Sequence, residues 1–361
     1  MQISRHEQPP DPSHPDFRLC EFDAELWDGV LLDLFGNTDL GKSALAGWSE
    51  GQQSAYARCR YLAAHEDGEL AGMATLVEPR VDNRHVAYVS VGVSPSRRRM
   101  GTGEALLEAA LAWGRANGRT TFQAWTWEPL VRPGPGMLKA RDGDGVIDPE
   151  GPGARFLLRH GFRLAQVDTM SGLTLQPQAT LQEMARAATG SLAERYELLQ
   201  WVDDTPAEHL SAMAALMVAM SIDVPTGEAE LQPEVYDEAR VRTFDRQRRD
   251  GGLGQLVTVV RERRTGELVG FTRVVSDRAR PRVADQWDTL VLGPHRGQGL
   301  GWTMKTASHA AMRATWPGVS AVVTGNASEN SWMLDINRRL GFVPIAASGC
   351  FERREAGSGA D

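Results

Sequence analysis

The sequence of 361 residues is poor in cysteine. Cys20, Cys59 and Cys350 are too few and too scattered for a disulfide framework or a zinc site, and the eight histidines form no H-x-x-x-H pair with them. Reduced thiols and no metal are expected. Nor does any window approach the roughly 18–20 consecutive apolar residues that a membrane span needs, and Met1-Gln2-Ile3-Ser4-Arg5-His6 lacks the apolar run of a signal peptide. A cytoplasmic protein with no membrane partner is the expectation. Positive charge is in deficit: the formal net charge of −8 argues against a nucleic-acid groove and suits cationic small substrates. Neither the dinucleotide fingerprint G-x-G-x-x-G nor the P-loop G-x-x-x-x-G-K-[ST] occurs. What remains is 42% hydrophobic and 24% charged, and its length predicts about two globular domains.

The second half repeats the first. Gly68-Glu69-Leu70-Ala71-Gly72 returns as Gly266-Glu267-Leu268-Val269-Gly270, and Arg98-Arg99-Met100-Gly101-Thr102-Gly103 as Arg296-Gly297-Gln298-Gly299-Leu300-Gly301, each 198 positions later (68 to 266, 98 to 296). Gly161-Phe162 returns as Gly341-Phe342, 180 later (161 to 341), so the first copy carries extra residues before this point. The stretch Leu130 to Gly153, dense in Gly, Pro and Asp, has the composition of a surface loop and supplies them. Matches in one order at one offset indicate tandem copies of one domain.

Each copy reads as a mixed α/β domain. Strand-like runs at Cys59–His65 and Leu70–Val77 flank a hairpin signal at Glu66-Asp67-Gly68, and Leu256–Val260 and Leu268–Val274 repeat them. A third strand follows, Val86–Val93 and Trp287–Leu292, then a Gly-rich turn and a helix with one apolar face. Another strand and a last helix end at Gly-Phe, where Gly suits a left-handed cap. The expected organisation is a flexible N-terminus at 1–16, a first domain at 17–178, a linker at 179–193, a second domain at 194–355 and a flexible tail at 356–361.

A strand running into R-x-x-G-x-G at a helix start surrounds one concavity with unpaired backbone N–H groups at the positive end of the helix dipole, which makes an anion site. Arg98 and Arg296 add charge-assisted contacts. The segment Val91-Gly92-Val93-Ser94-Pro95-Ser96-Arg97-Arg98-Arg99-Met100-Gly101-Thr102-Gly103 resembles the acyl-CoA-binding segment of the GNAT superfamily of N-acyltransferases, and Leu290-Val291-Leu292-Gly293-Pro294-His295-Arg296-Gly297-Gln298-Gly299-Leu300-Gly301 resembles it again, with one residue fewer between Pro and Arg. The resemblance implies two GNAT-like domains, each a mixed sheet splayed near its middle. It places the CoA pyrophosphate on Arg98, Arg99, Met100, Gly101, Thr102 and Gly103, and on Arg296, Gly297, Gln298, Gly299, Leu300 and Gly301. The pantetheine arm is placed along Val91 and Val93, or Leu290 and Leu292.

The family often carries a carboxylate about nine residues before the motif Arg. Allowing for the missing residue, Asp288 holds that position in the second copy and Val89 in the first; Asp288 reads equally as a salt-bridge partner. The family's last helix often reads N-x6-Y-x3-G-F. Counting back from Gly341 gives Asn330 and Asn337, the latter departing from Tyr, whereas Gly161 gives Glu150 and Leu157. Asn326 and Glu329 read as a helix cap and first-turn acid as readily as ligand contacts. Trp125, Trp127 and Glu128 line either a pocket or the contact between copies.

By this resemblance the protein is expected to move an acetyl group from acetyl-CoA, its only co-substrate, to the primary amine of a small molecule by direct attack on the thioester, as a monomer or homodimer. The second copy is expected to be the catalyst, through Asp288, Asn330 and Asn337, and the first to keep a CoA site without chemistry. The alternatives are a non-catalytic acyl-CoA-binding module and an aminoacyl-tRNA-dependent amide-forming transferase, for which the net charge offers little.

Overall fold

Glycine punctuation and apolar periodicity build one series of elements twice. The computed structural model describes residues 1–190 and 192–355, so the tail expected at 356–361 lies outside the described residues. The first copy contains β1 (Gln2–Glu7), α1 (Phe17–Phe35), α2 (Ala44–Glu50), β2 (Ala57–Glu66), β3 (Glu69–Pro79), β4 (Val86–Val93), α3 (Thr102–Ala116), β5 (Thr121–Glu128), the short β6 (Leu138–Lys139) and β7 (Val146–Ile147), α4 (Pro152–Arg159) and β8 (Arg163–Thr174). Then come α5 (Gln178–Gly190), β9 (Tyr196–Val202), α6 (Leu210–Asp223), α7 (Glu238–Asp250), β10 (Leu253–Glu262), β11 (Leu268–Asp277), β12 (Val283–Val291), α8 (Leu300–Thr315), β13 (Ala321–Ala327), α9 (Ser331–Leu340) and β14 (Val343–Arg354).

The hairpins close where glycine permits positive φ, at Asp67-Gly68 (53° and 85°) and at Gly266 (76°). In α3, Leu106, Leu107, Ala110 and Leu111 are fully buried and cover the strands beside them. Truncating one such leucine to alanine costs about 2–5 kcal/mol.

The long strands form one twelve-stranded sheet in the order β1-β2-β3-β4-β5-β14-β8-β13-β12-β11-β10-β9. The last strand of each copy therefore lies in the other half. β14 pairs antiparallel with β5 from Ala347↔Glu128 to Arg354↔Thr121, and β8 pairs with β13 from Asp168↔Ala327 to Thr174↔Ala321. β8 and β14 also pair with each other, so a cut between residues 178 and 194 divides the sequence repeat without dividing the sheet.

Two expectations need correction. Residues 1–16 hold an edge strand: β1 pairs with β2 from Gln2↔His65 to Glu7↔Arg60, and the Pro9 carbonyl accepts from the Trp48 indole at 2.8 Å. The run of prolines marks only the turn after that strand. The stretch expected as linker holds α5, which packs on α8 through buried Leu181 and a 3.1 Å hydrogen bond from Gln178 to the Ala310 carbonyl. The Gly-rich insertion is anchored by the β6–β7 hairpin, with Ile147 buried in the first copy's core.

Candidate active site

The two central parallel pairs separate early. β4 and β5 pair only at Val86↔Thr121, Ala87↔Phe122 and Tyr88↔Gln123, and β12 and β13 only at Val283↔Ala321, Ala284↔Val322 and Asp285↔Val323. Beyond these residues each pair opens and leaves backbone groups facing the gap. Antiparallel pairing lets alternate residues bond the neighbouring strand. Because Ser94 donates to the Ala71 carbonyl (2.9 Å), Val91 and Val93 face the gap.

In the second copy Leu292 donates to the Val269 carbonyl (2.9 Å), so the same alternation turns Thr289 and Val291 to the gap and corrects the expectation for Leu290 and Leu292. Leu290 is instead a buried core side chain. The error has a structural cause. Arg98 Nε donates to the Val93 carbonyl at 3.2 Å and Arg296 Nε to the Val291 carbonyl at 2.8 Å, five residues back in each case, so nothing is missing between strand and Arg. The unmatched residue sits in a β-bulge of β12 at Trp287-Asp288, opposite Arg273.

Both turns take the same backbone path. Arg99 and Gly101 have φ of 67° and 91°, and Gly297 and Gly299 have 76° and 81°. The first helical hydrogen bonds run from Ala105 to Gly101 and from Thr303 to Gly299, both 3.0 Å, so the preceding amides point out of the helix starts. Thr102 Oγ1 donates to Glu66 (2.8 Å), while the Met100 side chain stands in solvent. Each motif Arg meets an aspartate on the first helix of its copy, Asp33 for Arg98 at 3.7 Å and Asp223 for Arg296.

The surroundings differ. A cavity of about 1720 Å³ runs across both splays and reaches Arg98, Arg99, Gly101 and Gly103, walled there by Arg155, Phe156 and Arg159 of α4. The second turn is outside it. A Cβ built on Gly301 stands 3.1 Å from Ile336, the Arg339 guanidinium lies 4.6 Å from the Trp302 ring, and Gln298 accepts from Tyr196 and Arg195, both at 3.1 Å. Leu300 is buried.

The cavity is rich in carboxylates held in protonation-sensitive surroundings. Burial pushes the Asp23 and Asp285 carboxyls up to about 6, and burial with the neighbouring Glu329 charge does the same to Asp168. Burial also raises Glu128, whose Oε1 accepts from the Ala154 amide at 3.2 Å. Asp23 is placed by α1. That helix crosses β4 where a Cβ on Gly92 would stand 2.8 Å from Leu26, and its C-terminal end carries Asp33 to Arg98. One turn before Leu26, Asp23 thus lies toward the middle of β4, where the strands part. Trp27 and Trp127 meet edge to face beside it, with ring centroids 5.4 Å apart.

The residues expected to act in the second copy are largely engaged elsewhere. Asp288 reaches the cavity but is ion-paired with buried Arg273 (3.3 Å). Asn330 also lines the cavity, and its carbonyl caps α9 by accepting from the Met333 amide (3.2 Å). Asn337 does not face the cavity: it is 2% exposed, accepts from Lys305 Nζ and donates to Asn326, both at 2.6 Å. An interior network thus takes the position where the family often has Tyr, and burial pulls the Lys305 ammonium down to about 7. In the first copy, Val89 and Leu157 line the cavity and exposed Glu150 pairs with Arg155 at 3.6 Å. Asp23, Asp168 and Asp285 were missed because their positions depend on helix placement and strand exchange, which leave no spacing signature.

Residues 33–132 match the model of the Acetyltransferase (GNAT) family. Mycothiol acetyltransferase of Nocardia farcinica is 42% identical over 84 residues, 23% of this chain and 25% of that protein, so the likeness spans about a quarter of the curated relative. Among solved structures, a tandem GNAT protein from the clavulanic acid biosynthesis pathway superposes with a TM-score of 0.72 at 24% identity, covering 99% of this chain and 100% of that one. A GCN5-related N-acetyltransferase from Sphaerobacter thermophilus superposes with a TM-score of 0.59 at 16% identity, covering 98% and 95%. Residues 33–132 are thus a GNAT-family domain, and the chain as a whole has the tandem GNAT fold.

Proposed function

We propose that the protein is an acyl-CoA-dependent N-acetyltransferase that passes the acetyl group of acetyl-CoA to a primary amine of a small molecule, and that the reacting acetyl-CoA lies in the first copy. One observation carries the reading: the outward amides of the first turn, the open edge of β4 and the carboxylate-lined cavity are continuous there. The amides from Arg99 to Glu104 cradle the pyrophosphate with Arg98. Val91 and Val93 hold the pantetheine edge, which brings the thioester toward Val89. Asp23, poised near neutrality, accepts the proton that the attacking amine must shed. The narrowed groove at Gly301 and the engaged Asp288 and Asn337 support assigning the second copy a lesser part, against the expectation from the motif alone.

The test follows release of the CoA thiol from acetyl-CoA across a panel of primary amines. Acetylated product is expected for at least one small-molecule amine, with acetyl-CoA binding lost in the Gly101→Glu variant. Binding without turnover across the panel would turn the reading toward a non-catalytic acyl-CoA module.

A further inference from the structure

Lys42 belongs to the first copy, between α1 and α2, yet its ammonium lies in the second copy's end of the cavity. Its Nζ donates to both Glu50 carboxylate oxygens, at 2.8 and 2.7 Å, and stands 5.8 Å from the Trp287 ring centroid. Asp285 is the third neighbour: the charges of Lys42 and Asp285 stabilise each other, and the Trp287 side chain favours the ionised carboxylate. This segment is fixed to the second copy. The Ser43 amide donates to Asp277 at 2.7 Å, Arg280 pairs with Asp28, and Ala46 is buried with Leu253 and Val275.

The position is the informative part. Asp285 is the last residue of β12 paired with β13, so the ammonium sits where the second splay begins. A cation bonded to one carboxylate, with the charge of a second beyond direct contact and an indole ring nearby, is held by charge and by the ring quadrupole. Those contacts suit any unhindered alkylammonium.

We propose that Glu50, Asp285 and Trp287 form an alkylammonium site at the mouth of the second splay, and that the chain's own Lys42 fills it. The first copy thereby both completes this end of the second copy's cleft and keeps external amines out of it. The inference rests on the proposed function only for the reason an amine would arrive there; the site itself is tested without acetyl-CoA.

The experiment titrates n-butylammonium chloride, which matches the lysine side chain, into the full-length protein and follows Trp fluorescence and heat, with sodium chloride at equal ionic strength as control. Lys42→Ala, which empties the space of the lysine stem, is expected to bind n-butylammonium at least tenfold more tightly than the unaltered protein, and adding Glu50→Gln is expected to abolish the gain. Circular dichroism establishes that each variant is folded; should Lys42→Ala not fold, Lys42→Ser takes its place with the same expectation. A folded Lys42 variant that binds no better than the unaltered protein overturns the proposal, as does a gain that survives Glu50→Gln. Failure of every amine in the turnover panel leaves the outcome of this titration untouched, so the two readings fail separately.

Discussion

The two copies share a backbone and differ in what surrounds it. At the first turn the cavity reaches the glycines; at the second, Ile336 closes on Gly301 and Gln298 is held by Tyr196 and Arg195. Beside the first splay stand Asp23 and Glu128, raised by burial; at the second Asp285 is raised too, but Asp288 is tied to Arg273 and Lys42 fills the mouth. The shared glycine motif therefore fixes the path of a turn without fixing whether a ligand can reach it. The second motif is as complete as the first, yet its access is set by side chains outside it.

The largest expected contrast is between two glycines. Gly101→Glu should lower kcat/KM for acetyl-CoA by roughly 10²-fold or more, because a carboxylate among the cradling amides repels the pyrophosphate. Gly299→Glu should leave kcat/KM within a few-fold. Both positions have positive φ, so each variant carries about 1–2 kcal/mol of backbone strain, and thermal unfolding should show the same small loss in both. The reverse ranking in steady-state kinetics would return the chemistry to the second copy.

Next is Asp23→Asn, expected to cost about 10²-fold in kcat, the usual scale for a positioned proton acceptor, and to remove the acid limb of the pH profile near 6. Stability should move the other way. A carboxyl raised from 3.8 to about 6 binds its proton more tightly in the native state, so its contribution is present at low pH and is lost as pH rises through 6. Asp23→Asn should therefore melt a few degrees higher than the unaltered protein at pH 8, with the difference vanishing toward pH 4.

How much of this was legible in the sequence depends on the scale. The repeat, the hairpins and the turns were, because glycine at positive φ leaves a fixed mark; Gly101 and Gly299 occur where the backbone needs them. The bulge at Trp287-Asp288 was not, since an extra residue in a strand has no composition of its own; matching Pro294 to Pro95 runs one position out of step with the turns and so puts the pantetheine edge on Leu290 and Leu292 rather than Thr289 and Val291. Strand exchange was equally hidden: β8 and β14 each begin directly after a Gly-Phe, and pairing partners are not written in either. Lys42, 245 positions from Trp287 (287 minus 42), reaches it only because the folded chain brings α2 to the second copy.

A smaller effect is expected at Asp288. Asp288→Asn should destabilise by about 1–3 kcal/mol, because it leaves the buried Arg273 and its neighbour Arg248 short of counter-charge, and kcat should stay within a few-fold. Denaturant unfolding and turnover, measured together, separate this structural part from a catalytic one.

The last contrast, read in stability alone, concerns Lys305→Met. With its ammonium pulled from 10.5 to about 7, Lys305 costs the native state most at and below pH 7, and the cost declines as pH rises toward 10.5. Met removes that cost and also the hydrogen bond to Asn337, worth about 1 kcal/mol. The stability of the variant relative to the unaltered protein should therefore fall steadily between pH 7 and 10, which urea titrations at three pH values would reveal.

The crossing of β8 and β14 bears on how the chain is made. During synthesis the first copy emerges complete in sequence but without the strand that pairs with β5, for β14 follows β9 to β13 in chain order. Until then β5 presents an unpaired edge and β8 waits for β13. Completion of the first half is postponed until β14 has been made, so a chain released before β14 would leave its earliest-made half unfinished.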